Sequence, residues 1–136
     1  MLTIYPACFY KEKNGGYSVI FPDLNHLSTC GDTLQEALEM AVDCLAGYIF
    51  DEKIDGNQLP KASEISSINV DDEYDDYEEA FISIVSVDVD EYAKRHFNKS
   101  VKKTLTIPAW LNEKAIASNI NFSQVLQDAL KKQLNL

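Results

Sequence analysis

Apolar and polar positions change their period several times along the chain, and each change marks an element. Residues 2–10 (LTIYPACFY) are rich in β-branched and aromatic side chains and predict a strand. Asn14-Gly15 follows, a pair that supplies the positive-φ residues of a tight hairpin turn. Tyr17–Phe21 is the returning strand, stopped at Pro22, which has no N–H for a ladder. His26–Cys30 fits a third short strand, with Gly31 as its breaker. Thr33 and Glu36 then have the spacing of a capping box, each side chain within reach of the other residue's N–H. Behind them Leu34, Ala37, Leu38, Ala41, Leu45 and Tyr48 recur at three- and four-residue steps, widened by Val42 and Ile49. This stripe predicts an amphipathic helix lying on the three strands and fading near Asp51–Gly56.

Residues 57–79 lose all period: they hold Pro60, several serines and the acidic run 71–79. Ala80–Val89 is nearly all apolar or β-branched and predicts a buried strand, which must join the earlier sheet because no hairpin partner adjoins it. Asp90–Phe97 predicts a short helix. Lys102–Ile107 alternates, with Leu105 and Ile107 on one face and Lys102, Thr104 and Thr106 on the other. Pro108 suits the first position of a helix running to about Ser118. Asn119 suits a left-handed stop, and Asn121 can cap a last helix striped by Val125, Leu126, Ala129, Leu130 and Leu134. The expected fold class is α+β: β-β-β-α-β-α over residues 1–97 and β-α-α over residues 98–136.

Charge sharpens that division. The 136 residues carry a net charge of −10. Residues 1–97 hold 6 Lys/Arg and 20 Asp/Glu, a net of −14; residues 98–136 hold 6 Lys and 2 acids, a net of +4. Two units with partners of opposite sign are expected, the acidic one suiting a basic protein and the basic one nucleic acid. The hydrophobic fraction of 46% excludes a disordered chain. No apolar run approaches the ~20 residues of a membrane span, and the N-terminus lacks the pattern of a signal peptide, so a cytoplasmic protein is expected. Cys8, Cys30 and Cys44 have no close pairing, and His26 and His96 lack ligands at zinc spacing. Buried reduced thiols, no metal and no cofactor are expected.

Nuclease chemistry of the two-metal kind needs three or four converging carboxylates. The first two strands hold none, and Asp23, Asp88 and Asp90 only flank strands. Cys30 with His26 as base sits awkwardly on one short strand. The chain is therefore expected not to be an enzyme.

The second unit is too small to bury a core, and its single strand would leave backbone groups unpaired. Pairing that strand with its copy in a second chain solves both problems. Leu105, Ile107, Leu111, Val125, Leu126, Ala129 and Leu130 would then form a shared dimer core. Lys102, Thr104 and Thr106 would stand on the outer face of a two-stranded ribbon, which fits the DNA major groove. Lys99 and Lys103 add positive potential, and the helix start at Asn121, Phe122 and Ser123 offers N–H groups to phosphate. This pattern resembles the ribbon–helix–helix DNA-binding family, on Lys102-Lys103-Thr104-Leu105-Thr106-Ile107-Pro108 and the two helices after it. Many members carry Arg, Gln or Asn where Thr104 and Thr106 stand.

The first unit resembles the N-terminal domain of the HicB antitoxins. The resemblance rests on Tyr5-Pro6-Ala7, on Gly16-Tyr17-Ser18-Val19-Ile20-Phe21-Pro22-Asp23-Leu24, and on Cys30-Gly31-Asp32-Thr33-Leu34-Gln35-Glu36-Ala37 with the helix that follows. It implies a partial RNase H-like fold without its active site. It implies neutralisation of a HicA toxin, an mRNA-cleaving enzyme with a catalytic histidine, and repression of the shared promoter. The expected partners are a HicA-like toxin, operator double-stranded DNA and a second copy of this chain, with higher hetero-oligomers open. Phe21, Asp23, Asp71, Asp72 and Glu73 are the expected toxin contacts, the acidic run steering a basic partner. The alternative reading is a stand-alone ribbon–helix–helix repressor whose first domain senses a small molecule.

Overall fold

The computed structural model describes residues 1–97 and 100–136, which form two compact units, Met1–Lys99 and Ser100–Leu136. In the first, strands β1 (Thr3–Lys11), β2 (Tyr17–Phe21), β3 (Leu27–Gly31) and β4 (Glu79–Val87) form one antiparallel sheet in the order β3-β2-β1-β4. Helix α1 (Leu34–Ile54) lies between β3 and β4 in sequence, and α2 (Val89–His96) follows β4. The second unit holds helices α3 (Ala109–Ala117) and α4 (Phe122–Gln133).

Local chemistry sets most boundaries. The β1–β2 turn takes its positive φ at Gly15 (92°) and Gly16 (82°), not at Asn14. Gly31 ends β3 as a paired residue opposite Tyr17 rather than breaking it. Thr33 caps α1 by accepting the Glu36 N–H at 3.1 Å, but Glu36 reaches back to the Asp32 N–H, one residue earlier than a capping box requires. Asp88, not Asp90, begins α2, accepting the Glu91 N–H at 3.2 Å.

The core lies between the sheet and α1. Tyr5, Ala7, Phe9, Val19, Phe21, Val85 and Val87 meet Ala37, Ala41, Leu45, Ala46 and Ile49 there. Each of the larger side chains contributes ~1.5–3 kcal/mol on burial. The helix stripe is narrower than its sequence suggests: Leu34 and Leu38 are each 43% exposed. β4 is also a correction, because it is a half-exposed edge strand rather than a buried one.

β1 is buried on both faces, which its alternation does not explain. Residues 57–79 start beside that core, where Leu59 and Ala62 pack on it, and then cross the face opposite α1 and close over it. The Tyr10 hydroxyl donates to Val70 O at 2.6 Å, and its ring packs on Tyr74 and Tyr77. The Tyr5 hydroxyl donates to Pro60 O, while both Asp23 carboxylate oxygens accept from Ser63. This segment includes 3-10 turns at Ile65–Ser67 and Val70–Asp72. It is a packed layer, not a loose connection.

Two tyrosines, Tyr10 under that layer and Tyr92 between α2 and α1, give the unit a pH dependence. Burial, followed by the Cys8 contact, raises the Tyr10 hydroxyl well above its ordinary range. Burial and the Asp43 carboxylate, 2.8 Å away, push Tyr92 up to about 12. The folded state thus holds these protons more tightly than the unfolded chain, whose tyrosines titrate at about 10. Their contribution to stability is complete below pH ~10 and is lost as pH rises through the folded values. The urea midpoint should fall above pH ~10, and Tyr92→Phe should reduce that fall.

Candidate functional site

In the second unit the predicted strand is not a strand. Residues 100–108 form no ladder, because within one chain there is no neighbour to pair with. Lys102, Lys103, Thr104 and Thr106 are all exposed; Lys99 lies outside the described residues. Leu105 is 63% exposed and Ile107 41%, and Leu111, Val125, Ala129 and Leu130 are also exposed. Only Leu126 and Ala115 reach intermediate burial. Nothing in this unit is buried, and its apolar side chains, Trp110, Ile116, Phe122 and Leu134 among them, stand in solvent.

The helix termini follow the sequence more closely. Pro108 is the cap of α3 rather than its first residue, with ψ at 140° and its carbonyl accepting from Leu111 and Asn112 at 3.1 Å. Asn119 takes a left-handed φ of 55° between the helices. Asn121 caps α4 by accepting the Gln124 N–H at 3.1 Å, which leaves the Phe122 and Ser123 N–H groups at the open helix end. Sequence reasoning missed Trp110, which is exposed beneath the Lys114 ammonium at 5.8 Å from its ring centre. A lone tryptophan on a small unit's first helix turn was the available signal.

In the first unit the expected toxin contacts divide. Phe21 is a correction: it is fully buried in the core and out of a partner's reach. Asp23 is committed to Ser63 and works as a fastener for residues 57–79. Glu73 is a second such group; its side chain is only 11% exposed and its carboxylate lies 2.6 Å from His26 Nδ1. Asp71 accepts from the Tyr77 hydroxyl at 2.6 Å and Asp76 pairs with Lys13 at 2.6 Å. Glu12 accepts from Ser18 at 2.7 Å and from Tyr74 at 2.9 Å. Asp72 and Asp75 remain exposed, and neither carboxylate has a hydrogen-bond partner among the described residues. The acidic run is therefore half fastening and half free charge. Tyr74 and Tyr77, spaced three apart inside an otherwise polar run, were its legible sign of packing.

The thiols also differ from expectation, since Cys8 is buried but Cys30 is exposed. Among the described residues, no three His, Cys, Asp or Glu side chains converge where they could hold a metal ion. No described helix is long and apolar enough to cross a membrane. An open groove of about 1070 Å³ lies between α1 and α2, floored by Gly47, Phe50, Ile54, Ala93 and Phe97 with Asp51, Asp90 and Lys94 around it.

Known proteins share this arrangement. The family model described as HicB-like antitoxin of bacterial toxin–antitoxin system matches residues 5–130. A chain in a toxin–antitoxin complex from Streptococcus pneumoniae is 36% identical, with a TM-score of 0.62 over 98% of this chain and 99% of that one. The crystal structure of the Burkholderia pseudomallei antitoxin HicB has the same fold at 19% identity, with a TM-score of 0.53 over 97% of this chain and 98% of that one. Antitoxin HicB 1 of Photorhabdus laumondii is 51% identical over 41 residues, 30% of this chain and 26% of its own. With the match spanning both units, the chain belongs to the HicB-like antitoxins of bacterial toxin–antitoxin systems.

Proposed function

We propose that this antitoxin divides its work between its two units. The first, a partial RNase H-like layer, binds and blocks a HicA-like mRNA-cleaving toxin. The second pairs with its copy as a ribbon–helix–helix dimer and represses its own operon by binding operator DNA. The chain works in the cytoplasm as a homodimer that can take up toxin. The observation that carries this reading is the exposed tail. Its predicted dimer-core residues, from Leu105 to Leu130, all stand at least partly in solvent in the single chain, and a second copy of the same surface would cover them.

Charge supports the same division. A ribonuclease needs a positive surface to hold its substrate's phosphates, and the first unit's −14 complements it. The tail's five described lysines, Lys102, Lys103, Lys114, Lys131 and Lys132, suit a phosphate backbone. The ligand-sensing alternative has less behind it: the α1–α2 groove, although lined by Asp51, Asp90, Lys94 and His96, is open to solvent rather than enclosing.

The test is a pulldown with the tagged full-length chain from its host. A small basic protein that co-elutes near one-to-one, and whose RNA cleavage the chain suppresses, is the expected result. DNA retention with no stoichiometric protein partner would move the assignment to the stand-alone repressor.

A further inference from the structure

The sheet has two outer edges, and they are built differently. β3 is five residues long and beyond Leu27 carries only small side chains, so it offers little to a passing strand. β4 is nine residues long, Glu79–Val87, and has none of the usual blocking devices: no Pro, no Lys and no Gly. Large apolar side chains flank this edge on both faces. Phe81, 41% exposed, stacks on Phe9 at the face that carries α1. Ile84, 42% exposed, joins Ile4 and Ile65 on the other.

The ladder phase identifies the free backbone groups. The Glu12 N–H donates to Gly16 O at 3.0 Å, so even-numbered residues of β1 turn their backbone toward β2 and odd-numbered ones toward β4. Pro6 agrees with this, because the pairing toward β2 begins only at Cys8 and no donor is needed before it. In β4, Phe81, Ser83 and Val85 therefore bond to their partners Phe9, Ala7 and Tyr5. Ala80, Ile82, Ile84 and Ser86 point their N–H and C=O groups outward. No ladder partner meets them among the described residues; only the Ile84 carbonyl has a contact, from the Ser83 hydroxyl at 3.3 Å.

Charge selects what fits there. Glu78 and Glu79 stand at one end of the edge, Asp90 and Glu91 at the other. A second copy docked antiparallel would set Glu78 and Glu79 against Asp90 and Glu91, and a parallel one would set each acid against itself. Both arrangements also bring together two units of −14. A strand with basic ends meets attraction at both. We propose that the outer edge of β4 accepts an edge strand of the small basic toxin, extending the sheet across the complex. This rests on the toxin-binding reading above and adds the mode of docking, a backbone ladder framed by Phe81 and Ile84.

Amide hydrogen exchange on the isotope-labelled full-length chain tests this, with and without the toxin recovered in the pulldown. Toxin should slow exchange at Ile82, Ile84 and Ser86 by about tenfold or more, while Phe81, Ser83 and Val85 are protected throughout. Ile84→Pro removes one outward donor at a position where an edge strand tolerates proline, and should weaken toxin binding by roughly 100-fold with thermal stability and operator binding retained. Toxin bound by the native chain without added protection at the outward amides would overturn the edge proposal and leave the toxin-binding reading standing. Protection that instead rises with the chain's own concentration would assign the edge to a second copy and overturn it equally. No basic ribonuclease bound at all would defeat the toxin-binding reading itself. Should Ile84→Pro fail to fold, the exchange data on the native chain decide alone.

Discussion

Gly31→Ala is expected to cost about 3 kcal/mol, the upper end for forcing extra atoms into a packed site. A Cβ on Gly31 would fall 2.4 Å from the Ala37 nitrogen, 2.8 Å from its Cα and 2.8 Å from the Glu36 carbonyl carbon. All three are backbone atoms of the first turn of α1, so no rotamer change relieves the clash. Either β3 lifts from α1 or the Thr33 cap breaks. Both routes damage the core, because Ala37 and Ala41 are held against the sheet by this approach. The loss is a large share of the ~5–15 kcal/mol that stabilises an ordinary domain. Gly15→Ala is the control: its Cβ would meet nothing within 4 Å, so only the φ of 92° opposes it. Urea midpoints of both variants check this. A native midpoint for Gly31→Ala would show that the β3–α1 approach can relax freely.

The second large effect concerns the tail. Ile107→Lys puts a charge where two chains are proposed to meet. It should leave the chain monomeric by light scattering and lower affinity for DNA upstream of its own gene by about 100-fold or more, since a lone chain engages one half-site. Thr104→Ala with Thr106→Ala changes only the proposed outer face. That variant should remain dimeric, bind toxin normally and lose about 1–3 kcal/mol of sequence discrimination per base contact removed. Lys102→Ala should lower the slope of affinity against salt by about one. Loss of the dimer in the double threonine variant would reverse the assigned faces of residues 102–107. A dimeric Ile107→Lys would remove Ile107 from the shared core.

What could be read from the sequence and what could not differ by range. The helix α1, the Thr33 and Asn121 caps and the left-handed Asn119 depend on residues within four positions of one another, and they appear where their spacing put them, although Leu34 and Leu38 of the α1 stripe stay exposed. Even among these, one-residue details moved: the hairpin's positive-φ pair shifted from Asn14-Gly15 to Gly15-Gly16, and Pro108 became a cap. Either choice satisfied the local chemistry, and the neighbouring strand or helix decided.

The expected contact surface fared differently. Phe21 belongs to an alternating strand, which can hide or show a given side chain, and it is hidden. Asp23 and Glu73 resemble free surface charges until their partners Ser63 and His26, 40 and 47 positions away, are brought in. Residues 57–79 carry no period because they obey none; tyrosines and carboxylates hold them to the sheet one contact at a time.

The amino-acid sequence by itself determined the order of strands and helices in the first unit, the division into an acidic and a basic unit, and the family. Periodicity, capping and charge are properties of neighbouring residues, and no fold is needed to express them. Tertiary structure decided that β4 is an edge, that β1 is covered on both sides, and which acids are fasteners. Burial and backbone pairing belong to surfaces formed by distant segments, and those surfaces exist only once the chain has closed on itself.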